Sequence, residues 1–281
     1  MKRALVFLLL VGMALSVVPG SSPFGGIPVA SATVAFPSYP YQLDTGREVG
    51  LYAAGGLLLA AAWSVDRYST PPTEEEIRSM REGAPPEGWH GFDLSARRRW
   101  SPTAAKVSDL TAVLSLTAPV IQAGEGLFDD DTASLAVMYG ETVLLTAGAT
   151  ALVKALTHRP RPFLYNDDPS IPEEVRHGRD AWRSFPSGHT ALAFAGVVHL
   201  GMVNQRLHPG SSGWVWSAGL GVAALTGVLR YVAGKHHPTD ILAGAALGSF
   251  VGWFVPTLHE DLDNGLGGDP LPPLLTVGFA F

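Results

Sequence analysis

Three short clusters of basic and histidine residues recur in a fixed order: Lys154 with Arg161-Pro162, then Pro186-Ser187-Gly188-His189, then Arg230 with His236 and Asp240. Together they supply three cations, two imidazoles, a carboxylate and a Ser-Gly turn. Phosphate transfer without a metal calls for such a set. A phosphate monoester carries nearly two negative charges, so fixed cations must surround its non-bridging oxygens, and arginine suits bidentate contact. Positive charge preorganised in a dry cleft stabilises the pentacoordinate transition state. Lone Lys and Arg side chains are ordinarily surface charges. Lys154, Arg161 and Arg230 differ in lying at the ends of apolar segments, where a charge without a partner is costly.

Pro186-Ser187-Gly188-His189 falls where a loop turns into a helix. Ser187 is a good N-cap, Gly188 lets backbone approach a ligand closely, and the first amides of the helix point at an anion. Capping alone would account for Ser187 in isolation. His189 follows directly, and beside an anion hole an imidazole can act as general acid, protonating a leaving alkoxide. In the third cluster Pro238 marks the first turn of a helix. Asp240 can turn back to accept a proton from one nitrogen of His236, fixing the tautomer and leaving the other nitrogen free to attack phosphorus. The blander reading makes Asp240 a cap that serves only the helix dipole. His237 and His158 have no role in this scheme, and zinc on His236, His237 and Asp240 lacks a supporting ligand cluster.

These residues need helices to position them. Six Ala/Gly/Leu-rich segments follow the first cluster of tyrosines and prolines, at about 48–65, 106–124, 135–157, 189–205, 213–234 and 239–258. The first chemical cluster closes the third segment, the second opens the fourth and the third bridges the fifth and sixth. All three therefore meet at one end of a bundle. Between the first two segments lies a polar stretch, Pro71 to Trp100, in which Glu74-Glu75-Glu76 reads as the first turn of a short surface helix. Arg159, Arg176, Arg179 and Arg183 fall between the first two clusters, where they either enlarge the anion site or form a solvated loop.

Composition narrows the class. Of 281 residues 47% are hydrophobic and 16% charged, against about 25% charged in soluble domains. The mean hydropathy is +0.20. A net charge of -6 argues against a nucleic-acid partner, and the absence of cysteine excludes disulfides, thiolate nucleophiles and Cys-ligated zinc. In the body of the chain Leu207–Leu229 and Ile241–Leu258 are long runs without a charge, near the span a bilayer needs. Small residues fit close helix packing in a membrane, and equally in a soluble bundle. Lys2 and Arg3 precede an apolar run, Ala4 to Val18, with Ala30-Ser31-Ala32 as a small-x-small cleavage site. The expected organisation is a signal peptide at 1–32 (or an uncleaved anchor), a linker at 33–47, a helical domain at 48–258 and a tail at 259–281. The tail ends in strict alternation, Leu275, Val277, Phe279 and Phe281, read as a short extended segment packing on the bundle.

The clusters resemble the type-2 phosphatidic acid phosphatase and vanadium haloperoxidase superfamily. Its pattern is Lys-x6-Arg-Pro, Pro-Ser-Gly-His and Ser-Arg-x5-His-x3-Asp, and this chain matches it in register over 154–240 except at Leu229, where the family often has Ser. The resemblance implies an all-α, six-helix bundle and a cycle without a cofactor. His236 attacks to form a phospho-histidine, His189 protonates the leaving group and then activates water, and Asp240 orients His236. Lys154, Arg161, Ser187, Gly188 and Arg230 hold the phosphoryl oxygens. Activity is expected to survive chelators and to be blocked by vanadate. The implied substrate is a lipid phosphate or lipid pyrophosphate, with the protein in the cell envelope. A soluble periplasmic acid phosphatase, a vanadium haloperoxidase with His236 as axial ligand, and a scaffold without catalysis are the alternatives. If all six segments cross and the leader is removed, the site faces the cytoplasm together with Arg97-Arg98-Arg99, whereas membrane members mostly act on the outer face. The expectation is therefore that one segment, the first, does not cross, or that the bundle is soluble.

Overall fold

The computed structural model describes residues 40–83, 91–123 and 130–260. The leader, residues 33–39 of the linker and nearly all of the tail lie outside them. Six long helices carry the described residues: α1 (Thr45–Asp66), α4 (Pro102–Ala123), α5 (Asp130–Thr157), α7 (Gly188–Leu207), α8 (Ser212–Val232) and α9 (Pro238–His259). Short helices α2 (Glu74–Glu82), α3 (Gly91–Leu94) and α6 (Glu173–Arg176) sit in the connections. The fold class is all-α, as expected, and each of the six apolar segments is a helix. Glu74-Glu75-Glu76 does form the first turn of α2, closed by a capping box between Thr73 and Glu76.

α7 is the hub, packing on α9, α8, α4 and α5, while α1 lies against α5. Small residues set these distances. A methyl added at Gly244, Gly248 or Gly252 of α9 would fall 2.5, 2.0 and 2.5 Å from the carbonyl oxygens of Ser187, Ala191 and Ala195. The i, i+4 glycine row lets two backbones touch, which is how helices adhere where solvent gives no hydrophobic drive. Its first member sits against Ser187, so the contact that joins α9 to α7 also sets the second cluster against the third.

Among the described residues five helices are long and apolar enough to cross a membrane, over Thr45–Asp66, Pro102–Ile121, Thr132–Tyr165, Pro209–Val232 and Pro238–His259. The outward faces of α4 and α8 expose Leu110, Val113, Ile121, Trp214 and Val228, as lipid contact requires. The first segment, expected to stay out of the bilayer, is among the five. α7 is not. Its polar residues (His189, His199, Asn204, Arg206) lower its hydropathy, and its neighbours rather than lipid cover most of its surface.

Two connections fix the site end. Pro162–Tyr165 form a buried 3-10 turn whose Phe163 and Leu164 pack with Ile77, Ile171 and Ala181. Each large apolar side chain buried there contributes about 1.5–3 kcal/mol, anchoring the backbone that presents Arg161. After α8 the chain turns at Gly234, with φ +67° and no room for a side chain, since a methyl would meet the Arg99 carbonyl oxygen at 1.9 Å.

Candidate active site

The three clusters converge at the end of the bundle where α5 and α8 finish and α4, α7 and α9 begin. Arg161 is 4% exposed and fully engaged: Nε donates to the Asp180 carbonyl (2.8 Å), Nη1 to the Lys235 carbonyl (3.0 Å), and Nη2 pairs with the Asp180 carboxylate (2.8 Å). Its Nη1 also lies 3.4 Å from His236 Nε2. Arg230 Nη1 reaches Ser108 Oγ (3.3 Å) and Asp109 Oδ1 (3.2 Å) on α4. Lys154 Nζ donates to the Arg183 carbonyl at 2.7 Å. Gly188 abuts Lys154 closely, a methyl there falling 3.6 Å from Cε.

His236 is buried, and its Nδ1 lies 2.7 Å from the Ser184 carbonyl oxygen. A carbonyl only accepts, so Nδ1 carries the proton and Nε2 keeps its lone pair beside the Arg161 guanidinium. Burial, reinforced by Arg161, Lys154 and Arg230, holds the His236 imidazole well below its usual range, so it is neutral near pH 7. A neutral imidazole with a free Nε2 is the nucleophilic form.

Asp240 differs from its expected place. Its Oδ2 is 3.6 Å from His236 Nδ1, beyond a hydrogen bond. Instead Oδ2 accepts from Ser184 Oγ and from the His237 amide (2.8 Å), while Oδ1 accepts from Arg159. The capping reading is thus partly realised, because a carboxylate in the first turn finds the N-cap amide before it finds the imidazole four residues back. Asp240 reaches His236 through Ser184, whose hydroxyl it holds and whose carbonyl holds the ring. Ser187 occupies the N-cap of α7 without a side-chain cap bond, its Oγ pairing with Thr190 Oγ1 at 2.9 Å. Ser187 N donates to the Asp240 carbonyl at 2.9 Å, tying the two helix starts together.

Several participants carry no motif signal. Asp109 Oδ1 lies 3.0 Å from His189 Nε2 and accepts from Arg230, and Asp180 sits on Arg161, so two carboxylates lie on groups that a phosphate would need. Lys235 places Nζ 4.9 Å from the ring centres of Trp100 and Phe163. Burial and the neighbouring Arg161 and Arg230 pull its ammonium down to about 8. Of the four loop arginines, Arg159 bridges Asp93 (2.7 Å) and Asp240. Arg176 is 2% exposed and donates to the Phe163 and Asp168 carbonyls. Arg183 pairs with Asp66 at 3.3 Å, and Arg179 is exposed. None of the four enlarges the anion pocket directly. His237 is buried with Nδ1 and Nε2 each 3.2 Å from a backbone carbonyl, of Asp93 and Pro160, so neither nitrogen is available to a metal.

Residues 135–263 match the family model of the PAP2 superfamily. The chain is 32% identical over 137 residues to a probable lipid phosphate phosphatase 4 of Arabidopsis thaliana, covering 41% of this chain and 44% of that one. It is 45% identical over 92 residues to a lipid A 1-phosphatase of Porphyromonas gingivalis, covering 31% of this chain and 20% of the other. The matches thus span less than half the length of these curated relatives. A crystal structure of a transmembrane PAP2-type phosphatidylglycerolphosphate phosphatase from Bacillus subtilis is 22% identical, with a TM-score of 0.43 over 75% of this chain and 94% of that one. The segment 135–263, which holds all three clusters, is the part of the chain that resembles the PAP2 superfamily.

Proposed function

We propose that this chain is a membrane phosphatase of the cell envelope that hydrolyses lipid phosphates or lipid pyrophosphates through a phospho-histidine at His236. The observation that carries the reading is the unprotonated Nε2 of a buried, neutral His236, 3.4 Å from Arg161 Nη1, with His189 and Arg230 both beside one anionic oxygen across the pocket. That oxygen, Asp109 Oδ1, stands in for the oxygen of a leaving group.

In the first step Nε2 attacks phosphorus, the P–O bond to the leaving group breaks, and the His189 proton goes to that oxygen. In the second, water attacks the phosphoryl group, its proton passes to His189, the P–N bond breaks and phosphate departs. Lys154, Arg161 and Arg230 spread the charge on the non-bridging oxygens, with the first amides of α7 at Gly188 and His189 adding the helix-terminal field. Ser184 fixes the His236 ring through its carbonyl, and Asp240 with Arg159 holds Ser184. The cycle uses no metal. The names of the relatives support a lipid substrate, as do apolar helices that would bring a bilayer head group to the pocket.

A substrate panel on the purified full chain tests this, comparing lipid phosphates and pyrophosphates in mixed micelles with water-soluble monoesters. Lipid substrates are expected to dominate kcat/KM, with activity lost in His236→Ala and His189→Ala and blocked by vanadate. Equal turnover of soluble esters would favour a broad-specificity phosphatase, and activity retained in His236→Ala would end the catalytic reading.

A further inference from the structure

A second constellation lies at the opposite end of the bundle. Glu48 from the first turn of α1, Glu141 from α5 and His259 from the end of α9 place one ligand atom each within 4.8 Å of one another. Glu141 and Lys154 are separated by about 20 Å of helical rise, so this cluster takes no part in phosphoryl transfer.

Its geometry leaves a positive charge wanting. His259 Nδ1 lies 2.8 Å from the Val255 carbonyl oxygen, one helical turn back, which fixes the proton on Nδ1. Nε2 then faces Glu48 Oε2 at 2.8 Å and Glu141 Oε2 at 3.3 Å. Three acceptor atoms would thus surround one point. A proton on Nε2 relieves only part of this, since it can point at one carboxylate. The nearer is Glu48, and Glu141 is 0% exposed, its carboxylate facing only the Glu48 carboxylate and His259 Nε2. An ionised carboxylate left so is strongly unfavourable. One divalent cation held by Nε2 and both Oε2 atoms satisfies all three groups at once.

The surroundings fit a ligand set. Glu48 Oε1 is occupied by the Asp44 amide (2.9 Å) and Arg47 Nε (3.2 Å), which turns Oε2 inward. The Nδ1 bond to a backbone carbonyl is the outer-shell arrangement that orients metal-bound histidines. Glu48 is 13% exposed beside the half-buried Arg47, giving an ion a route from the rim. One imidazole and two carboxylates suit zinc, with bonds of about 2.0–2.2 Å and a fourth position left for water or the second Glu141 oxygen.

We propose that Glu48, Glu141 and His259 form a zinc site that staples α1, α5 and α9 together at the end of the bundle remote from the phosphate pocket. The test uses the purified full chain in detergent, stripped with chelator and titrated with zinc chloride, reading metal per chain, affinity and thermal unfolding midpoint. One zinc per chain and a raised midpoint are expected, because a ligand that binds only the folded state stabilises it. Glu141→Gln and His259→Gln should each weaken zinc binding more than about tenfold. His177→Gln, in the exposed Glu74, Glu173 and His177 group, should leave it unchanged. If a variant fails to fold, cobalt(II) added to stripped wild type decides alone: the intense visible absorption of a low-symmetry site, abolished by zinc, supports the proposal. No cobalt spectrum and no zinc uptake leaves a proton-shared Glu-His-Glu triad and overturns it, as does binding that survives Glu141→Gln or is lost in His177→Gln. Phosphatase activity is not a readout, so this result and the catalytic reading stand or fall separately.

Discussion

Asp109 offers the sharpest perturbation of the phosphate pocket. Its Oδ1 occupies the point between His189 Nε2 (3.0 Å) and Arg230 Nη1 (3.2 Å), so an incoming phosphate must push a carboxylate off both. Asp109→Asn keeps the shape and removes the charge. Arg230 stays in place because Ser108 Oγ holds the same Nη1 at 3.3 Å. Unit charges about 4 Å apart interact by about 1 kcal/mol in water and about 4 kcal/mol near a protein surface. The Asp109 side chain is 59% exposed and can swing into solvent, so the lower figure applies. Relief of about 1 kcal/mol tightens anion binding about fivefold. The assay is the competitive inhibition constant of phosphate or vanadate in wild type and variant, with the thermal midpoint as a check on folding. An unchanged or weakened constant in a folded variant would refute the idea that Asp109 stands where the substrate's oxygen goes.

Lys235, with its ammonium pulled down to about 8, is a cation below that pH and neutral above it, so its contribution to anion binding is present at neutral pH and lost as pH rises through about 8. Tungstate, whose own charge is constant there, should bind wild type more weakly across that range, and Lys235→Met should remove the pH dependence; an identical profile in the variant would exclude Lys235 from the anion field. Arg159→Gln leaves Asp93 and Asp240 without their shared guanidinium and should cost about 3–5 kcal/mol of stability. It should also lower kcat through the Ser184–His236 contact, and an unperturbed unfolding midpoint would contradict this account of the network.

Much of this was legible because the chemistry sits at helix ends. Lys154, Gly188-His189, Arg230 and Asp240 fall where apolar runs stop or start, and a bundle that reverses direction at each connection returns them to one place. The linear pattern hides what comes from crossings. Asp109 belongs to a helix with no motif, Ser184 acts through its carbonyl, and Arg159 reads as a loop charge although it joins α3 to α9. The i, i+4 spacing of His236 and Asp240 suggested a direct bond, but His237 as N-cap, with its amide on Asp240, takes the carboxylate first. Glu141 interrupts an apolar segment in the sequence, and only the approach of α1 and α9 supplies Glu48 and His259 around it.

The most direct trial of the central claim is to trap the phosphoryl group on the protein. Wild type and His189→Ala are mixed with a radiolabelled substrate bearing a good leaving group, quenched in denaturant and digested. Because His189 activates the water that discharges the intermediate, the account predicts an acid-labile, alkali-stable label on the peptide containing His236, at higher occupancy in His189→Ala. A label on Ser187, or turnover without any labelled His236 peptide in either protein, would contradict it.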